Sequence, residues 1–256
     1  MTTPAPPRVD GAARALLVLW DIDGTLLLRA SVAHVRAVWA ALAEVHGVDG
    51  EGFKGPGVAG MTDAQISRAI LAGMGVEAAA IDEHAARVVE RVGQLYAPDD
   101  LRDHVSPGLD GLLAELHDRD DVIQSLVTGN YEAVARRKLD AAGLGRWFDP
   151  RWGGGFGSDD EDRDRLPAIA RARAAAALSP DREPWDRDRT VIVGDTPRDI
   201  ACARADRVHV VAVTTGSHDR HDLADADAVV DDAGELREAL LGLAAPAPDA
   251  IRKDRS

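Results

Sequence analysis

The chain has one cysteine, Cys202, and three lysines, Lys54, Lys138 and Lys253, in 256 residues. A single thiol excludes an intramolecular disulfide and points to a reducing compartment. Basic charge is also scarce: 30 Lys and Arg against 44 Asp and Glu leave a formal charge of -14. A nucleic acid or an anionic bilayer needs a basic face, so neither is expected as a partner. No apolar run approaches the ~20 residues that span a membrane. The run near the N-terminus is too short for a signal-peptide core and is broken by Asp21. There is no internal repeat. The expectation is a soluble, cytoplasmic protein, monomeric or homodimeric. Hydrophobic residues at 45% and charged residues at 29% are a globular balance. The length suffices for one large domain, or for a core with a smaller one.

Leu16-Leu17-Val18-Leu19-Trp20 is an unbroken apolar run that suits a strand buried on both faces of a parallel sheet. It runs straight into Asp21-Ile22-Asp23-Gly24-Thr25. Two carboxylates beside an apolar strand end repel each other and lose hydration, costs that a divalent cation relieves. In open α/β sheets the carboxyl ends of strands are also where ligands bind. Asp21, at the strand end, can act as a nucleophile on phosphorus, forming an aspartyl-phosphate. Asp23 is placed to protonate the leaving oxygen and later to deprotonate the attacking water.

Residues 1–13 carry no periodic pattern and are expected to be a frayed leader. Ser31 can cap a helix with Val32, Val35, Val38, Trp39 and Leu42 on its apolar side and Gly47 at its end. The stripe Val32, Val35, Trp39 reads as core. Glu51 to Gly60 is a glycine-rich loop. Thr62 to Gln65 has capping-box spacing, opening a helix through Ile66, Ile70 and Leu71. A third helix repeats through Ile81, Ala85, Val88, Val92 and Leu95. Alternation begins afterwards. Ser106-Pro107 opens a helix through Leu109 to Leu116. Val122–Val127 is a strand, Tyr131–Ala142 a helix stopped by Gly143, and Leu166–Leu178 a helix. Strands at Thr190–Val193 and Val208–Val213 flank a helix over Asp199–Ala205, with Ala228–Val230 as an edge strand and Glu235–Leu243 a closing helix. This pattern predicts an α/β fold, a doubly wound parallel sheet with an inserted α-helical cap domain. The core is expected at 14–28 and 102–243, the cap at 29–101, and disordered tails at 1–13 and 244–256. The two crossings between cap and core can hinge.

Two further strand ends carry chemistry. In Thr128-Gly129-Asn130 a hydroxyl, a glycine-permitted turn and adjacent backbone N–H groups can hold a phosphoryl oxygen. Gly194-Asp195-Thr196-Pro197-Arg198-Asp199 places another acid after a strand, as a magnesium site shared with Asp21 needs, and Mg²⁺ requires few protein ligands. Asp199 can orient Asp195 or a water on the metal. Gly153 to Gly157 is no phosphate-cradling loop, because no Gly-Lys-[Ser/Thr] follows. His218 and His221 read as solvated, and Cys202 as packing.

In combination these motifs resemble those of the haloacid dehalogenase-like (HAD) hydrolase superfamily. Gly60-Met-Thr-Asp63, Ser106-Pro-Gly108, Ala135-Arg-Arg-Lys-Leu139, Gly143-Leu144 and Val213 to Asp232 look like its phosphoglycolate phosphatase-like branch. The resemblance implies the same roles for Asp21 and Asp23, phosphate binding by Thr128, and Mg²⁺ held by Asp21, the backbone oxygen of Asp23, and Asp195. An acid at Asp23 separates this signature from the dehalogenase and phosphonatase branches. One departure stands out. The family places a lysine ahead of the helix that precedes the Gly-Asp strand, and none of the three lysines is there. A guanidinium can supply that charge, and Arg163 is the expected substitute, with Arg165 the alternative.

The expected function is a Mg²⁺-dependent phosphatase that hydrolyses a small phosphorylated metabolite through an aspartyl-phosphate. The alternatives are a phosphomutase of the same superfamily and a catalytically silent HAD-like binding module. Gly129 and Asn130 are expected to touch substrate. Lys54, the sole lysine of the cap, is expected either to reach the leaving group on cap closure or to be solvated.

Overall fold

The computed structural model describes residues 14–49 and 59–245. Strand β1 (Leu16–Trp20) leads into three helices: α1 (Val32–His46), α2 (Asp63–Gly73) and α3 (Ala78–Leu95). Then follow α4 (Leu109–His117), β2 (Val122–Thr128), α5 (Glu132–Ala141), β3 (Gly155–Phe156) and α6 (Leu166–Ala176). The chain closes with β4 (Thr190–Gly194), α7 (Pro197–Asp206), β5 (His209–Val213), β6 (Ala228–Val230) and α8 (Ala233–Ala244).

The six strands form one parallel sheet in the order β3-β2-β1-β4-β5-β6. β1 lies inside it, and alternate residues serve different cores, which is why its sequence shows no polar alternation. Leu16, Val18 and Trp20 pack with Leu112 and Leu113 of α4 and Leu236 and Leu240 of α8. Leu17 and Leu19 pack on the other face with Leu166 and Ala170 of α6 and Ile200 and Ala203 of α7. From β1 the chain builds outward first to β2 and β3, then returns to build β4 to β6 on the other side. The carboxyl ends of β1, β2 and β4 therefore meet at the switch point of the sheet, where such folds open a crevice.

The three inserted helices share a core of their own: Val38, Ala41 and Leu42 of α1, Ile70 and Leu71 of α2, and Ile81, Val88 and Val92 of α3. Tyr131 and Val134 close it from the sheet side. The insertion also touches the core through backbone. Asp63 N donates to Gly129 O at 2.7 Å, and a Cβ on Gly129 would stand 2.3 Å from Met61 O. Only glycine permits that approach.

Several local expectations need correction. The capping box at Thr62 forms with both halves present, but Ser31 makes no side-chain cap, its backbone already lying in the helical region. The helix after Ser106 begins later, with Gly108 as its N-cap. Gly155–Phe156 adds a short edge strand beside β2, in a glycine run to which no element is assigned. Val32 and Val35 are not core: they stand 64% and 51% exposed on α1. α8 runs to Ala244, which is buried.

Candidate active site

Asp21 follows the last residue of β1 and donates its backbone N–H to Val193 O of β4 (2.9 Å), so its side chain leaves the sheet at the junction of the two strands. Asp195 follows β4, and one carboxylate oxygen from each of Asp21, Asp195 and Asp199 lies within 4.8 Å of the others. All three are buried. Thr25 Oγ1 donates to Asp195 Oδ1 at 3.0 Å. Gly24, at φ 88°, lies so close that a Cβ there would stand 2.2 Å from Asp195 Oδ2. A left-handed turn and a close approach together account for the glycine after Asp23.

Arg163, in a single helical turn ahead of α6, is buried between carboxylates. Its Nη2 lies 3.1 Å from Asp21 Oδ2 and donates to Asp199 Oδ1, while Nη1 donates to Gly60 O at 3.0 Å. Asp199 is otherwise engaged at the start of α7, where Oδ2 accepts from Thr196 N (2.9 Å) and Thr196 Oγ1 (2.7 Å). Arg165, by contrast, is exposed and pairs with Asp160.

Asp23 has a different neighbour, one to which the motifs assign no role. Lys138, buried in the second turn of α5, donates to Asp23 Oδ1 (2.8 Å) and Oδ2 (2.6 Å). Asn130 Nδ2 donates to Asp23 Oδ2 (2.8 Å) and to Thr128 Oγ1 (2.9 Å). In the sequence Lys138 stands within the family-like stretch Ala135-Arg-Arg-Lys-Leu139, on the inner side of a helix next to Ala135 and Leu139, where a solvated lysine does not belong.

These surroundings set the protonation of the acids. Burial pushes Asp21 up to about 6 against the pull of Arg163. Burial, with Asp21 and Asp199 adding repulsion, pushes Asp195 up to about 8. For Asp23 burial also acts upward, but Lys138 and His34 outweigh it and the carboxyl ends below its ordinary value. Four carboxylates (Asp21, Asp23, Asp195, Asp199) thus meet two cations (Arg163, Lys138), and protons held high on Asp21 and Asp195 compensate part of the excess. That donor set fits a hard divalent cation, which takes oxygen ligands and displaces such protons.

Above these residues lies a cavity of about 710 Å³, far more than a phosphoryl group fills. Asp21, Asp23, Thr128, Asn130, Arg163 and Asp195 form its floor. Val35, Val38, Trp39, Met61, Ile66 and Ile70 of the insertion line its roof. The exposure of Val35 follows from this position. His34 of α1 also reaches the cavity, with Nε2 2.9 Å from Asp63 Oδ2, which in turn accepts from Tyr131 N at 2.8 Å. Lys54 lies outside the described residues. Cys202 is buried, and burial pushes its thiol up to about 12. His218 is half-buried and His221 exposed in the loop after β5, and neither lines the cavity.

A doubly wound parallel sheet with acids at two adjoining strand ends and Thr128-Gly129-Asn130 at a third, roofed by a helical insertion, defines an α/β protein with an acid-lined catalytic crevice. The family model described as haloacid dehalogenase-like hydrolase matches residues 18–204, and the chain belongs to that family. No curated protein matches the chain. Among solved structures it is similar to a β-phosphoglucomutase from Clostridium difficile (17% identity, TM-score 0.61, covering 90% of this chain and 97% of that one). It is also similar to a predicted phosphatase from Clostridium acetobutylicum (18%, TM-score 0.58, 89% and 99%). A hydrolase from Pseudomonas syringae is likewise similar (23%, TM-score 0.55, 89% and 98%). At these identities the likeness is one of fold.

Proposed function

We propose that the protein is a phosphatase, removing the phosphoryl group from a small phosphorylated metabolite through an aspartyl-phosphate on Asp21. The observation that carries this reading is the placement of Asp21: at the strand end, beside Arg163 and Asp195, on the floor of a cavity, with a second carboxylate two residues on.

Asp21 Oδ attacks phosphorus, the bond from phosphorus to the ester oxygen breaks, and Asp23 gives that oxygen a proton. In the second half a water oxygen attacks the same phosphorus, its proton passes to Asp23, and the bond to Asp21 breaks, releasing phosphate. The ionised form of Asp23 that Lys138 favours is the form this second half requires. Arg163 neutralises charge between nucleophile and phosphate, the work a lysine does elsewhere in the family. Thr128 Oγ1 and the backbone at Gly129 and Asn130 hold a phosphoryl oxygen. Asp21, Asp195 and the Asp23 carbonyl would hold Mg²⁺, with Asp199 orienting Asp195. When bound, the cation would supply positive charge to the phosphoryl oxygens and let both aspartates ionise together.

The test is phosphate release from a panel of phosphorylated metabolites with Mg²⁺. Release that disappears in Asp21→Asn supports the proposal, and release from none of them would leave a silent binding module. Conversion of a sugar phosphate to its isomer with the phosphate retained would move the reading to a phosphomutase.

A further inference from the structure

A completely buried ammonium survives only where its protons are matched, because losing water without replacement costs several kcal/mol, on the order of what unfolds a domain. Lys138 meets that condition with nothing to spare. It is 0% exposed, and its three protons go to Asp23 Oδ1, Asp23 Oδ2 and, at 2.8 Å, Asn130 Oδ1. Asn130 spends both amide protons as well, on Asp23 Oδ2 and Thr128 Oγ1. Thr128, Asn130, Asp23 and Lys138 are thereby tied into one closed network across 115 residues of chain. Asp23 and Asn130 line the cavity, but Lys138 does not, so it has no direct route to a substrate.

We propose that Lys138 is a positioning residue for the proton transfers of Asp23. A carboxylate held through one oxygen can swing about its χ angles. Held through both by an ammonium, and braced by an amide on one, it cannot turn without breaking charge-assisted bonds. Lys138 therefore keeps the face of Asp23 that remains open directed into the cavity, where the ester oxygen and later the attacking water stand. Because Asn130 also holds Thr128, the same network fixes the distance between the proton carrier and the hydroxyl that would grip the phosphoryl group. No bond to substrate forms or breaks at Lys138.

The inference rests on the phosphatase reading, and the experiment separates the two. Wild type, Lys138→Met, Asp23→Asn and the double variant are compared on an alkyl phosphate and on 4-nitrophenyl phosphate, whose leaving oxygen needs no proton. For Lys138→Met, kcat/KM on the alkyl ester should fall about tenfold or more, while kcat/KM on the nitrophenyl ester stays within about threefold. On the nitrophenyl ester kcat should fall, because hydrolysis of the phosphoenzyme still needs the base. In the Asp23→Asn background the same substitution should change either rate by less than about twofold, since its effect runs through Asp23. Equal losses of kcat/KM on both esters, or losses that simply add in the double variant, would overturn the role of Lys138 while leaving the phosphatase reading standing. A wild type that releases no phosphate overturns that reading and this inference with it. Should Lys138→Met fail to fold, Lys138→Arg keeps the charge but displaces it, and is expected to show the same split between the esters.

Discussion

Two arginines two positions apart have opposite surroundings. Arg163 lies buried against Asp21 and Asp199, and those carboxylates hold its guanidinium well above its usual pKa despite the burial. Arg165 is exposed on Asp160, in an ion pair of the sort that contributes little. Arg163→Ala should lower kcat by roughly ~10²-fold or more, the loss expected when a preorganised charge is removed. Arg165→Ala should leave kcat within about twofold, and steady-state rates on one substrate give both values. The reverse ranking would move the role to Arg165. Asp21→Asn should reduce turnover to background while leaving the melting temperature within a few degrees of wild type. More than a few per cent of residual activity would count against covalent catalysis at this residue. That Asp21, Asp23, Asp195 and Arg163 line one cavity was legible in the sequence because each sits at a fixed offset from a strand end or a helix start, and such offsets survive without knowledge of the tertiary fold. Lys138 was not legible. Its meaning depends on a contact with Asp23 115 residues away, and the local sequence Ala-Arg-Arg-Lys-Leu offers two other cations on the same helix.

Between elements, the junction of the insertion with the sheet leaves little room for change. Thr62 caps α2 by accepting from Gln65 N at 3.1 Å and reaches Glu161 O at 2.8 Å on the sheet side. Thr62→Ala should cost about 1–2 kcal/mol, typical of a lost cap, read from denaturant unfolding. Gly129→Ala should be worse, because the new methyl would stand 2.3 Å from the Met61 carbonyl and backbone must move. It should lower both stability and kcat, and a variant with wild-type values would show that the contact can relax. The elements themselves were readable from periodicity, and their ends were the weak point. β3 escaped notice because two residues give no period, and its glycines carry turn signals. Val35 looked like core because an apolar stripe at helical spacing does not say whether a second protein surface or a cavity lies opposite it.

For the molecule as a whole, stability and metal are coupled through the raised acids. Asp21 and Asp195 keep their protons to about 6 and about 8 in the metal-free fold, whereas an unfolded aspartate releases its proton near ~4. Between those limits the folded state binds more protons than the unfolded one, so these two groups remove stability as pH rises from about 4 to about 8. A divalent cation needs both groups ionised, competes with the protons at low pH and binds more tightly as pH rises. Saturating Mg²⁺ should therefore raise Tm more at pH 8 than at pH 6, and chelator should abolish the gain. A shift independent of pH would count against a metal on these carboxylates. The close approach at Gly129 also has a consequence for anyone who treats the helical insertion as an exchangeable module. Met61 to Asp63 belong to the insertion by sequence position but are fitted to Gly129 atom by atom. A chimera that grafts in a foreign insertion should retain this chain's 59–63 with the host sheet, because a splice placed at the outer crossings would import a backbone never shaped to lie against that glycine.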